Sequence, residues 1–408
     1  MKWTNKGHQF DTLGNHLRQR NRIYIYGDAE TGQYALSLIA KAGFGELVDG
    51  FLDRSPEKQH TGFLGKPVYS PDVIFEAYDE NHLIVLAFGD QRVTGRVRAR
   101  MRQAGYVEGW DFFRKGWFEP CLNDPFLPVL AMYVQNRFLL TSTCCIPSTR
   151  CNLNCRDCLN FTPHLEHFED RPLEEVCADV DLLFRRLDFT YRFQISGGEP
   201  LLYPHFKELA AHIGSRYRDK IDVFETVLNG TVVPSDEICE VLAAYHMIVY
   251  LDDYRENLPS RMDRREEIIR QLERYGIQWI DNRVEEWFSL DIFHTDNSSM
   301  TDGELTEYFD HCNNPWHCYE HGRLYICNFA RFAVKAGLNQ EDLNDYFDLT
   351  RMTEEKKREL LEFSLNYTQR GYTNFCKRCA GWCGINAKSI PVAVQAERRR
   401  TEGKSCGS

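Results

Sequence analysis

Short apolar runs that stop at a turn and give way to amphipathic stretches recur along most of this chain, and this alternation restricts its fold more than any other feature. Ile23, Tyr24, Ile25 and Tyr26 form an apolar run that stops at Gly27. Residues 28–42 follow as a predicted helix, with Tyr34, Leu36, Leu38 and Ile39 on or near one face. Strands are predicted at 47–52 and at 82–88, the latter ending at Gly89, and a basic helix at 91–104. Strand, glycine turn, helix and strand in that order predict an α/β unit over residues 1–118, built on a Rossmann-like parallel sheet.

Residues 119–140, rich in Pro, Phe and Leu, read as a linker, and the alternation resumes over 141–300. Val176, Val180, Leu183, Phe184 and Leu187 share one helical face, and short strands are predicted at 193–195, 223–228, 248–251 and 278–280 with helices between them. This pattern predicts a partial (β/α)6 barrel of TIM type, with its chemistry at the C-terminal strand ends. Residues 301–390 lose the pattern and read as a small irregular, cysteine-bearing domain. Residues 391–408 are expected to be a flexible tail.

The length of 408 residues suits two or three domains, and 43% hydrophobic with 27% charged residues is an ordinary globular balance. A net charge of -11 offers no broad footprint for nucleic acid. No apolar stretch approaches the ~20 residues of a membrane helix, and residues 1–14 lack a secretory apolar run, so a cytoplasmic protein is expected. Disulfides are disfavoured in that compartment, so fifteen cysteines point to metal or redox chemistry. They gather at 151–158, 312–327 and 376–383, whereas Cys177 and Cys239 read as small buried apolar residues.

Cys151, Cys155 and Cys158 have the spacing C-x3-C-x2-C. A structural zinc site wants four ligands, and no fourth cysteine is well placed nearby. Three thiolates on a compact loop would instead leave one iron of a cluster open to a small molecule. Ile195-Ser196-Gly197-Gly198-Glu199-Pro200 follows some forty residues later, then Val227-Leu228-Asn229-Gly230-Thr231. In this order the motifs resemble the radical S-adenosylmethionine (radical SAM) superfamily. The resemblance implies a [4Fe-4S] cluster on Cys151, Cys155 and Cys158, with S-adenosylmethionine at its open iron. It implies that Gly197, Gly198, Glu199 and Pro200 hold the methionyl amino group and that Asn229 lies in a ribose-contacting segment. A reductant such as flavodoxin or ferredoxin would supply the electron. Where many members carry an aromatic residue before the third cysteine, this chain has Asp157, and Phe161 is the candidate to pack against adenine instead.

Cys312, Gly322 and Cys327 give C-x9-G-x4-C, and Cys376 and Cys379 give C-x2-C. The pair resembles the SPASM/twitch extension of radical SAM enzymes, implying an auxiliary [4Fe-4S] cluster on those four cysteines. Cys318 or Cys383 could replace one of them, and zinc is the alternative metal. Cys383 is also a candidate hydrogen-atom donor to a substrate radical, against the plainer readings of cluster ligand or buried thiol. Asp252, Asp253 and Tyr254 follow a barrel strand and are candidate acid/base or hydrogen-bonding groups, with solvated loop carboxylates as the alternative.

The turn after the first strand, Tyr26-Gly27-Asp28-Ala29-Glu30-Thr31-Gly32, is not a G-x-G-x-x-G fingerprint, and its two carboxylates would repel phosphate. Gly50-Phe51-Leu52-Asp53 with Gly65-Lys66-Pro67-Val68 resembles the N-terminal domains of bacterial sugar acyltransferases, implying nucleotide-sugar or substrate docking; a structural or dimerising role is the alternative. Peptide-modifying members often begin with a winged-helix leader-binding domain, unlike the α/β unit here. The expected substrate is therefore a sugar, nucleotide-sugar or other small metabolite, undergoing dehydrogenation or epimerisation. Maturation of a ribosomal peptide, and a non-enzymatic zinc or iron-sulfur protein, remain the alternatives.

Overall fold

Five parallel strands open the chain in a computed structural model that describes residues 1–396, apart from 28, 77–78, 115–124, 313, 315 and 383–384. They are β1 (Arg22–Gly27), β2 (Val48–Leu52), β3 (Val68–Tyr69), β4 (His82–Ala87) and β5 (Phe112–Arg114), in the order β3-β2-β1-β4-β5. This is the order of a doubly wound sheet, whose strand direction of travel reverses between β1 and β4. The near-continuous apolar runs follow from burial on both faces. Ile23, Ile25, Leu83 and Val85 point into one core, and Tyr24, Tyr26, Ile84 and Leu86 into another.

The segment expected to be a linker contains a helix, Phe126–Gln135, in which eight residues are buried. A helix apolar all round has no 3.6-residue stripe to read from sequence, and here it lies inside the core that the N-terminal sheet shares with the next one. Helix Asp11–Arg18 packs on it so closely that a Cβ at Gly14 would lie 2.2 Å from the Tyr133 ring.

The second sheet begins with β6 (Leu139–Ser148), β7 (Phe189–Gly197), β8 (Ile221–Leu228), β9 (Ile248–Asp252) and β10 (Trp279–Asn282). All are parallel and in chain order, with helices Leu173–Arg186, Phe206–Tyr217, Asp236–Ala244 and Arg265–Arg274 between them. The expected apolar face on the first of these helices is buried through Val176, Val180, Leu183 and Phe184. After β11 (Glu286–Phe288), the C-terminal third contributes β12 (His317–Glu320), β13 (Arg323–Tyr325) and β14 (Tyr346–Asp348). β12 joins β6 in parallel as a sixth such strand, on the edge opposite β10, and β13 and β14 continue antiparallel.

The beginning of the expected tail is ordered. β15 (Ser389–Pro391) pairs antiparallel with β11, and residues 392–396 then run across the 151–158 loop. Arg156 N–H donates to Val394 O at 2.7 Å and Ala396 N–H to Asn154 O at 2.7 Å. Residues 397–408 lie outside the described residues. Among the described residues no helix is long and apolar enough to cross a membrane.

Candidate functional site

The C-terminal ends of β6, β7, β8 and β9 deliver the cysteine triad, Glu199, Asn229 and Asp252 to one region, as a parallel barrel does. Gly197 and Gly198 lock the first two ends together. A Cβ at Gly197 would lie 2.1 Å from Ser148 O and one at Gly198 2.1 Å from Arg150 O, and Gly197 has φ +143°. Glu199 N–H donates to Arg150 O at 2.8 Å. Both glycines therefore allow close approach to the backbone that leads into the triad, before any ligand is considered. Pro200 starts a short 3-10 turn, Pro200–Leu202, capped by the Glu199 side chain.

The Glu199 carboxylate is buried and uses both oxygens: Oε1 accepts Leu201 N–H at 3.2 Å and Oε2 accepts Asn229 N–H at 2.8 Å. Burial pushes its pKa up to about 7, so a cationic ligand is the partner that would keep it ionised. Asn229 Nδ2 lies 3.8 Å from Cys151 Sγ and donates to Asn152 Oδ1 at 3.0 Å, while Asn152 Nδ2 donates to Thr231 Oγ1 at 2.8 Å. The sequence reading passed over Asn152, although its place between two of the cysteines was a usable signal.

Burial pushes the Cys151 and Cys155 thiols up to about 12, each raised further by neighbouring triad thiols. Such a set holds its thiolate charge only around a cation, as the irons of a cluster provide. Gln395, which no sequence signal marked, donates from Nε2 to Cys155 Sγ at 3.3 Å.

The three acid/base candidates separate. Asp252 is buried beside the triad, accepting from Tyr254 Oη and from Asn282 Nδ2 at 2.6 Å. Tyr254 packs with the triad cysteines and edge-on to Trp287. Asp253 turns to Arg255, which donates to both its oxygens at 2.8 and 2.7 Å and holds its pKa down to about 2. That ion pair leaves Asp253 a poor proton carrier.

A cavity of about 370 Å³ reaches Cys158. Asp157, Phe161, His164, Asp291, His294 and Lys388 are among its lining residues. Phe161 lines one side of it and sits in a left-handed conformation, φ 55°.

Cys312, Cys327, Cys376 and Cys379 lie close together: burial raises the Cys327, Cys376 and Cys379 thiols, and neighbouring thiols of the set, Cys312 in each case, raise them further. Each sulfur has a polar hydrogen-bond partner: Trp382 N to Cys312 at 3.3 Å, Asn314 Nδ2 to Cys327 at 3.3 Å, Thr373 Oγ1 with Cys376 at 3.3 Å, and Gly381 N to Cys379 at 3.2 Å. Cys318 does not join them. It is fully buried on β12 opposite Cys144, because alternation along the strand turns it into the sheet's core. Cys383 lies outside the described residues. Among those described, no three His, Cys, Asp or Glu side chains converge tightly enough to hold a single metal ion.

Residues 145–284 match the family model described as the Radical SAM superfamily. That segment carries a radical SAM domain. A [4Fe-4S] cluster and S-adenosylmethionine are the cofactors this match implies, and the triad, Glu199 and Asn229 fall within the matched segment. No curated protein matches the chain. Similarities to solved structures are distant. Native anSMEcpe with bound AdoMet is 15% identical with a TM-score of 0.35, over 55% of this chain and 82% of its own. BtrN in complex with AdoMet and 2-DOIA is 13% identical with a TM-score of 0.35, over 60% and 94%. SuiB of Streptococcus suis bound to S-adenosylmethionine is 18% identical with a TM-score of 0.29, over 37% and 36%.

Proposed function

We propose that this radical SAM enzyme abstracts a hydrogen atom from a small polar metabolite, sugar-like in size and chemistry, and carries out its dehydrogenation. The observation that carries the reading is the 370 Å³ cavity at Cys158, whose lining offers carboxylate, imidazole and ammonium groups to a hydroxylated substrate. A [4Fe-4S] cluster, when bound, would supply one-electron reductive cleavage of S-adenosylmethionine and so the hydrogen-abstracting species, its electron coming from a flavodoxin- or ferredoxin-like partner in the cytoplasm. Cys151, Cys155 and Cys158 hold that cluster, and Glu199 receives the methionyl ammonium. Asn229 and Asn152 would hold the ribose, and Phe161 would pack against the adenine. Asp252, buried beside the triad, is the proposed acceptor of the proton that a substrate hydroxyl loses.

Loss of a hydrogen atom and then a proton leaves one electron to remove. Cys312, Cys327, Cys376 and Cys379 are the proposed ligands of an auxiliary [4Fe-4S] cluster that would take it. Donors to the sulfurs fit a cluster, because hydrogen bonds there stabilise the reduced state. Epimerisation instead needs a hydrogen atom returned, and Cys383 is the candidate donor for that outcome.

Anaerobic reconstitution tests the reading. About eight irons per chain and dithionite-dependent 5′-deoxyadenosine are expected. A chain that binds zinc in preference to iron and forms no 5′-deoxyadenosine would overturn it. Turnover of a precursor peptide, with none of any sugar, would favour the peptide-maturase alternative.

A further inference from the structure

A second cleft, of about 560 Å³, opens at the C-terminal edge of the N-terminal sheet. Its wall is built from the ends of β1 and β2, the loop after β4, and the helices that follow. In an open parallel sheet this edge, where the strand order reverses, is where ligands bind. None of its lining residues belongs to the cysteine sites.

Among the described residues the charge around it is mostly positive. Arg54, Lys58, Arg96 and Arg100 line the cleft against one carboxylate, Asp53, among the described residues. Lys58 pairs with Asp53, and Arg100 with Asp72 outside the lining. Arg54 and Arg96 enter with no carboxylate partner among the described residues. Such a surplus on a chain of net charge -11 favours an anion there. The arginines come from the loop after β2 and from helix Gln91–Gln103, so phosphate recognition here needs no glycine-rich fingerprint. Of the two carboxylates that the sequence set against phosphate, Glu30 is exposed and absent from the lining, and Asp28 lies outside the described residues.

Two further features define the ligand. Tyr26 and Phe88, meeting edge-on at 4.9 Å, give the cleft an aromatic wall for a planar ring. Asp53 directly follows β2, the position from which an acidic side chain reaches ribose hydroxyls in this sheet topology. Its oxygens accept from Ser55 N at 2.8 Å and Lys58 Nζ at 2.5 Å, fixing the carboxylate while leaving lone pairs for a diol.

We propose that this cleft binds a nucleoside diphosphate, with the base against Tyr26 and Phe88, the ribose at Asp53, and the diphosphate between Arg54 and Arg96. The proposal does not rest on the radical chemistry at the cysteine sites.

Calorimetric titration of the reconstituted protein with UDP, ADP and pyrophosphate tests it. At least one nucleotide should bind more tightly than pyrophosphate, and its affinity should fall as salt rises. The Arg54→Ala/Arg96→Ala double variant should bind that nucleotide about tenfold more weakly or worse, and Asp53→Asn should narrow its advantage over pyrophosphate. Iron content and 5′-deoxyadenosine formation should be unchanged, which separates this result from failure of the proposed function. The Arg54→Lys/Arg96→Lys variant should recover part of the affinity, as retained charge predicts and a folding defect does not. Pyrophosphate binding as tightly as both nucleotides, no binding at millimolar concentration, or full affinity in the double alanine variant would each overturn the proposal.

Discussion

Phe161 meets Phe375 edge-on, with ring centroids 6.0 Å apart and planes at 80°. Phe161 follows the triad and donates its N–H to Cys158 O at 2.9 Å, while Phe375 directly precedes Cys376. One aromatic contact therefore joins the loops that carry the two groups of cysteines. Phe375→Ala should cost about 3 kcal/mol of stability in chemical denaturation, because both rings are buried. It should also slow substrate turnover more than dithionite-driven 5′-deoxyadenosine formation, since the triad itself is untouched. Equal loss of both activities would mean that the contact supports only the triad.

Gly198→Ala should cut iron loading at the triad, measured as iron per chain in a Cys376→Ala background so that only the first site is counted. The added methyl would meet Arg150 O at 2.1 Å, and a backbone carbonyl cannot rotate away as a side chain can. Full iron content in this variant would show that the loop can retreat without losing the cluster.

Asp252 and Asp253 should differ sharply. Asp253→Asn removes a surface ion pair with the half-exposed Arg255 and should leave 5′-deoxyadenosine formation close to wild type. Asp252→Asn replaces a buried acceptor of two hydrogen bonds beside the triad and should lower substrate turnover by about tenfold or more. Steady-state rates with both products quantified would distinguish them; equal rates would remove Asp252 from the proposed proton path.

These contrasts mark what the sequence could convey. The strands, the helices between them and the triad with Glu199 were readable because periodicity and motif spacing are local properties. The pairing of β12 with β6 was not, since it joins His317 to Thr143 across a separation that no local pattern records. Cys318 stayed open as an alternative ligand in the sequence because its burial opposite Cys144 depends on that same distant pairing. Helix Phe126–Gln135 passed for a linker because it is apolar on every side and contains Pro128. Residues 392–396 passed for a tail because the backbone and Gln395 contacts that hold them join a loop about 240 residues earlier in the chain.

His317 provides a pH test of the β12–β6 junction. Its side chain is fully buried, and burial pushes its pKa down to about 4 from an ordinary value of 6.5. Above pH 6.5 it is neutral whether the chain is folded or unfolded, so it imposes no penalty. As pH falls from 6.5 to 4 the unfolded chain takes up a proton that the folded chain refuses, and stability declines by about 3 kcal/mol in total. His317→Leu should flatten that part of the slope in denaturation measured across the window. An unchanged slope would mean that the imidazole finds a way to be charged in place.

Gln395 should tune the first cluster. Its amide is fully used: Oε1 accepts Asn154 N–H at 2.8 Å, and Nε2 donates to Ala393 O at 2.7 Å and to Cys155 Sγ at 3.3 Å. A donor to a ligating sulfur stabilises the more electron-rich, reduced cluster, so its removal should make the midpoint potential more negative. Gln395→Leu loses every contact, whereas Gln395→Glu keeps an acceptor for Asn154 but presents a carboxylate to the sulfur. Both variants should shift the potential downward in an EPR-monitored redox titration, and Gln395→Glu should do so further because it adds negative charge. If only Gln395→Leu shifts, the effect comes from loosening residues 392–396 over the triad loop, and the N–H···S bond is not its cause.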